Sequence, residues 1–184
     1  MLPGIPFWYL RHGQTDWNAQ DLGQGSVEVP LNETGIAQAK AAAAKLRGRG
    51  IVSIVASPLG RAQATAEIVA EALKLPVHTL LTLRETSFGV QEGKPMGDWF
   101  PRWVASEMTP EGGESFADLR LRAAAAVTEA LVFQAPVLIV AHGGLFRALR
   151  AEMGLPFHER PANAVPTLCN PPPPGETAWV LEAV

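Results

Sequence analysis

A single cysteine, Cys169, stands in 184 residues, so no disulfide can form within the chain, and its thiol reads as a small packed side chain. Charge is also scarce: Asp, Glu, Lys and Arg make up 18% of residues and leave a net charge of −3. The basic face of a nucleic-acid binder is missing, so no nucleic acid is expected as a partner. No stretch approaches the ~20 apolar residues of a membrane span, and no membrane partner is expected either. The N-terminus lacks a basic region ahead of its apolar run, which stops at Arg11; this is not the pattern of a signal peptide, and the expected location is cytoplasmic. No internal repeat is present. Hydrophobic residues reach 47%, far above the level of a disordered chain, and the length suits one domain over residues 1–184 with a real core.

Strand-like and helix-like stretches alternate. Pro6 to Leu10 is a short apolar run. Asn32 is a plausible N-cap for a helix rich in Ala, Lys and Leu that ends at Gly48 and Gly50. Residues 51–57, "IVSIVAS", carry the β-branched residues of a strand. A second helix runs to Leu75, where Pro76 stops it. Residues 88–113 are irregular, too long for an ordinary connection and too apolar for disorder, and read as a functional loop or lid inserted at about 88–114. Ser115 and Asp118 form a capping-box pattern before another helix. Residues 136–141, "PVLIVA", form the clearest strand, and "GGLFRALRAEMG" a helix with a glycine end. "PPPPG" reads as a stiff surface turn and "TAWVLEA" as a last strand at an edge. This order predicts an α/β fold, a three-layer α/β/α sandwich with a mostly parallel central sheet.

Ligands of open α/β sheets bind beyond the carboxyl ends of the strands. Three strands here end in polar residues: Leu10 before Arg11 and His12, Ala56 before Ser57 and Arg61, and Ala141 before His142, Gly143 and Gly144. If these strands are neighbours, one crevice gathers two arginines and two histidines. Guanidiniums held together repel and call for an anion, and the planar fork of arginine fits a phosphoryl group. Gly143 and Gly144 open a helix whose free N–H groups would add to such a site. A metal fits poorly, because the histidines lack ligand spacing and the arginines would repel a cation. Histidine can also act as a covalent nucleophile, and nearby positive charge favours its neutral form. Read residue by residue, the sequence goes as far as a phosphate site with a candidate nucleophilic histidine, against the plainer reading of two packed or solvated histidines.

The motifs "LRHGQTDWN", "SPLGRAQATA", "LRETSFGVQEG" and "IVAHGG" resemble, in this order, those of the histidine phosphatase superfamily, which includes cofactor-dependent phosphoglycerate mutases and small phosphatases. The resemblance covers roughly residues 6–153. Gln14 replaces the Glu usual after Arg-His-Gly, a position outside the catalysis. By resemblance, His12 is the nucleophile that becomes phosphohistidine. Arg11, Arg61 and His142 hold the phosphoryl oxygens, Asn18 and Gly143 contribute further phosphate contacts, and Glu85 protonates the leaving oxygen. Asn163 resembles an asparagine common after the second-histidine helix. The implied activity is a metal-independent, cofactor-free phosphomonoesterase acting on a small phosphorylated metabolite, in a fold similar to that of phosphoglycerate mutase. A homodimer is compatible with the family.

Two alternatives stand beside this: a mutase using the same phosphohistidine, and a non-catalytic phosphate-binding module. Only 56 residues lie between Glu85 and His142, where mutases carry a larger insertion, and every matched catalytic position is filled. Lys94 and Arg102 are the only bases of the lid, which weighs weakly against polyphosphorylated substrates. His78 and His158 read as structural or solvated, Trp17 as a packing residue and Thr65 as a local cap. Trp99 and Trp103 fit either a small satellite core or a substrate-facing lid.

Overall fold

A computed structural model describes residues 2–184. Its elements, in chain order, are β1 (Phe7–Arg11), α1 (Asp16–Ala19), α2 (Glu33–Leu46), β2 (Ser53–Ala56), α3 (Gly60–Leu73), β3 (Val77–Thr79), α4 (Trp99–Val104), α5 (Phe116–Ala130), β4 (Val137–Ala141), α6 (Gly143–Glu152), β5 (Thr167–Asn170) and β6 (Val180–Ala183). The sheet order is β3-β2-β4-β1-β5-β6. β3, β2, β4 and β1 run parallel, while β5 is antiparallel to β1 and β6 to β5.

The inner parallel strands β1, β2 and β4 are buried on both faces, which is why they read as continuous apolar runs rather than alternating ones, while β3 is a half-exposed edge strand. Successive side chains still point to opposite faces. Phe7, Tyr9, Val137 and Ile139 enter one apolar cluster with Leu119, Ala123 and Val127 of α5 and Leu145 and Leu149 of α6. Trp8, Leu10, Leu138 and Val140 enter the other, with Ala42 and Leu46 of α2 and Ala66 and Val69 of α3. The helices thus cover both faces, and the three layers follow.

The helix caps follow the sequence in part. The Asn32 side chain accepts from the Gly35 N–H at 2.9 Å. Ser115 Oγ accepts from the Asp118 N–H at 3.0 Å, but the return bond joins the Ser115 hydroxyl to the Asp118 carboxylate instead of the backbone. A fully reciprocal capping box occurs at Thr15 and Asn18 of α1, a four-residue helix too short for periodicity to reveal. β5 is likewise unpredicted. Its four residues follow a stretch with weak motif character, and pairing with β1 makes it a strand. "PPPPG" lies in the hairpin between β5 and β6, and β6 is an edge strand.

Residues 88–113 are more ordered than their composition predicts. Two backbone bonds close the segment's base: Glu114 N–H to Ser87 O at 2.8 Å and Val90 N–H to Glu111 O at 3.0 Å. Within it, Phe88 meets Trp99 and Trp103 edge-on, with ring centroids 5.1 Å apart in both pairs, and Trp103 meets Phe116 of α5 at 5.1 Å. Trp103 is fully buried and its indole N–H donates to the Glu114 carbonyl at 2.8 Å. It is therefore a core residue, and Trp99 packs on the same cluster. Helical periodicity missed α4 because its six residues are held by this aromatic packing, with Pro101 in its first turn. Trp103→Ala is expected to lower the unfolding free energy by about 3–5 kcal/mol, read by denaturant titration. A loss under about 1 kcal/mol would mean that the insertion does not share the main core.

Candidate active site

β2, β4 and β1 are adjacent, so their carboxyl ends lie side by side. The backbone ladder continues one residue past two of them, with the Ser57 N–H bonded to Val140 O at 3.0 Å and the His12 N–H to Ala141 O at 2.9 Å. Ser57, His12 and His142 therefore leave the sheet together. The His12 and His142 ring centroids are 5.3 Å apart. A cavity beside them is lined by Arg11, His12, Asn18, Arg61, Glu85 and Gly143, six of the seven residues expected at the site. The seventh, His142, is fully buried behind that wall, against His12.

His12 is held by its Nδ1, 2.7 Å from the Gly13 carbonyl. A carbonyl only accepts, so Nδ1 carries the proton and Nε2 bears the lone pair. Burial first, and then Arg11 and Arg61, push the His12 pKa well below the ordinary 6.5. The loop after His12 is fixed by close backbone packing. Gly35 of α2 lies so near Gln14 that a Cβ there would sit 2.1 Å from the Gln14 carbonyl oxygen. The Gly13 N–H donates to Thr65 Oγ1 at 3.1 Å, and the Thr65 hydroxyl donates to the Arg61 carbonyl at 2.8 Å, so this local cap also ties β1 to α3.

His142 is oriented from two sides. Its Nε2 lies 2.6 Å from Ser57 Oγ, which also accepts the Leu59 N–H at 3.3 Å. The Ser57 hydroxyl hydrogen has no acceptor other than Nε2 among the described residues, which assigns the ring proton to Nδ1. Tyr9 fixes the backbone: its hydroxyl donates to His142 O at 2.9 Å and accepts the His142 N–H at 3.1 Å. The His142 pKa is also well below 6.5, through burial, then Arg61 and His12.

Neither arginine is ion-paired among the described residues. Arg61 donates to Gly25 O at 2.7 Å and Val27 O at 2.8 Å, and Arg11 donates to Pro161 O. Burial, then Arg160, lowers the Arg11 pKa to about 10, so it remains a cation at neutral pH. Arg11 Nε, Arg61 Nε and His142 Nδ1 are buried and lack any protein partner among the described residues. Buried donors of this kind are rare unless a ligand takes them.

Glu85 corrects one sequence-based expectation. The Gly144 N–H is not free for phosphate: it donates to Glu85 Oε2 at 2.8 Å, and the Leu145 N–H donates to Oε1 at 3.0 Å. Thr86 N–H adds a second bond to Oε1 at 3.0 Å. The anion at the start of α6 is thus the chain's own carboxylate; both glycines line the cavity, and of the two it is Gly143 whose N–H is not taken by Glu85. Asn18 accepts the Thr15 N–H and the Asn163 amide on its Oδ1, leaving its own amide nitrogen for the cavity. Asn163 also donates to His12 O at 2.9 Å. Glu28 and Glu114 are engaged elsewhere, by Gly60 N–H and by Arg122.

Sequence reasoning missed Arg147 and Arg160, which also line the cavity. Lys94 and Arg102 do not; Arg102 pairs at the surface with Glu107. Arg147 had a signal: it follows Gly143 by four residues on α6, one turn along the same face. His78 lies against Phe133 with ring centroids 4.7 Å apart, and His158 against Phe157 at 4.5 Å, both structural contacts. Trp17 packs at Gly93, where a Cβ would come within 3.2 Å of its ring.

The histidine phosphatase superfamily (branch 1) model matches residues 7–169. The chain is 38% identical over 167 residues to a probable phosphoglycerate mutase of Yersinia pestis, covering 84% of this chain and 77% of the relative. It superposes on mycobacterial glucosyl-3-phosphoglycerate phosphatase with a TM-score of 0.83 at 33% identity, covering 96% and 97% of the two chains. A putative α-ribazole-5′-phosphate phosphatase of Escherichia coli aligns with a TM-score of 0.81 at 26% identity, covering 99% and 96%.

The depressed histidines have a pH consequence. Between the lowered folded pKa and about 6.5 the unfolded chain binds more protons than the folded one, so stability is expected to fall as pH drops through about 6.5. In ring-nitrogen NMR of the phosphate-free protein, His12 should keep the neutral Nδ1–H pattern at and below pH 6.5. A His12 midpoint near 6.5 would contradict the electrostatics described.

Proposed function

The chain belongs to the histidine phosphatase superfamily, and from that premise we propose that it hydrolyses phosphomonoesters of small metabolites through a phosphohistidine on His12. One observation carries this reading. Three buried donors without protein partners, on Arg11, Arg61 and His142, surround a histidine whose Nε2 lone pair is free. A phosphoryl group supplies the missing acceptors and an electrophile for the lone pair.

In the first step His12 Nε2 attacks phosphorus and the ester P–O bond breaks. Its electron pair leaves on the ester oxygen, which takes a proton from Glu85. Oε2 holds one N–H donor against two on Oε1, so it is the oxygen with room for that proton. Charge on the equatorial oxygens is met by Arg11, Arg61, His142, Asn18 and the Gly143 N–H. The ring of the phosphohistidine is cationic, and the Gly13 carbonyl stabilises its Nδ1–H. In the second step water attacks phosphorus, the Glu85 carboxylate takes its proton, and His12 leaves as neutral imidazole. We place the protein in the cytoplasm, where phosphorylated metabolites are retained.

The second reading is a mutase, favoured by the name of the Yersinia relative. Phosphate release measured beside interconversion of monophosphoglycerates separates the two. Interconversion without release would replace the hydrolase by the isomerase.

Turnover quenched in denaturant should yield an acid-labile, base-stable phosphoryl adduct on His12, and His12→Ala should remove both adduct and activity. Full activity in His12→Ala would sink the covalent mechanism. Glu85→Gln keeps the shape of the site but lacks the proton. It should lose roughly 10²–10⁴-fold on alkyl phosphates and much less on aryl phosphates, whose phenolate needs little protonation. Equal losses on both would remove Glu85 from the role of acid.

A further inference from the structure

Arg147 is 6% exposed, lines the same cavity as His12, and has no carboxylate partner among the described residues, whereas Arg150 pairs with Glu159 and Arg160 with Asp21. Its Nη1 is committed to the carbonyls of Phe157 and His158, and its guanidinium lies over the Phe100 ring at 5.2 Å from the centroid. Nε and Nη2 make no hydrogen bond to any described residue. The head is therefore fixed on one edge and one face, with a donor edge free.

The transferred phosphoryl group does not need these donors. It has three non-bridging oxygens, and Arg11, Arg61, His142, Asn18 and Gly143 already supply at least five donors. Arg147 stands four residues past Gly143, about 6 Å along the helix axis on the same face of α6. Its free edge is therefore available to the part of the substrate that leaves. Arg160 adds a second cation at the mouth, held by Asp21 at 2.7 Å and by the Asn18 carbonyl at 3.3 Å. Keeping a cation nearly buried without a counter-charge is costly unless a ligand brings one.

We infer, on the basis of the phosphomonoesterase reading, that the substrate carries a second anionic group, a carboxylate or a second phosphate, about one helical turn from the transferred phosphoryl group, and that Arg147 binds it. The anion lies on the leaving alcohol, so it remains on the product.

The test compares substrates that differ only in that group. One pair is 3-phosphoglycerate and glycerol 3-phosphate, which exchange a carboxylate for a hydroxymethyl. The other is 1,3-propanediol bisphosphate and its monophosphate. In the natural protein at least one anionic member should exceed its partner in kcat/KM by about tenfold or more, the size of a charge-assisted hydrogen bond. The pair that shows it names the group. Arg147→Met, which keeps a stem to pack on Phe100, should bring that ratio close to one, chiefly through KM. A partial folding defect scales both members alike and cannot by itself bring the ratio to one. Ratios near one in both pairs for the natural protein, or a ratio that survives Arg147→Met, would overturn the inference. Where the variant fails to fold, ratios near one in the natural protein still overturn the inference. Absence of both the His12 adduct and turnover on every ester is a separate outcome, which overturns the proposed function itself.

Discussion

The structure depends on holding arginine charge beside His12 without neutralising it. Terminal nitrogens of Arg11 and Arg61 are satisfied by backbone carbonyls, those of Gly25, Val27 and Pro161, and not by carboxylates. Carbonyl dipoles fix the position of a guanidinium and leave its formal charge intact. That charge, added to burial, lowers the pKa of both histidines and favours their neutral forms. A carboxylate in place of each carbonyl would have fixed the arginines equally well and cancelled the field an anion needs.

The loops around the site are consistent with this demand. Residues 24–28 supply carbonyls to Arg61, and Glu28 ties the same loop to the start of α3 through the Gly60 N–H at 3.0 Å. Glu92 of the insertion accepts from the Ser26 and Phe88 N–H groups, at 2.9 and 3.1 Å, and so joins the insertion to that loop. Residues 157–163 do the same on the other side, meeting Arg147, Arg11 and His12 in turn. The one carboxylate placed deep in the site, Glu85, is held by three backbone N–H groups and not by an arginine.

Arg147 extends the same logic outward. Its Nη1 is held by carbonyls and its face by Phe100, and its charge stays uncompensated within the protein. The bases of residues 88–113 that the sequence draws attention to, Lys94 and Arg102, are not part of the cavity, whereas Arg147 of α6 and Arg160 after it line it.

The sequence by itself determined the chemistry and the scaffold that presents it. The buried parallel strands, the helices with their caps, and the residues leaving the strand ends are local patterns, because strand burial, helix periodicity and motif spacing act over a few residues. Only the tertiary structure decided which strands are neighbours, and hence that His12 and His142 meet at 5.3 Å. It alone showed that Glu85 takes the helix N–H groups that a phosphate could otherwise use, that α4 and β5 exist, and that Trp103 belongs to the core. It alone brought in Arg147, Arg160 and Tyr9. Each of these rests on contacts between residues distant in the chain, where the partner's position, not the residue's own neighbours, sets the energy.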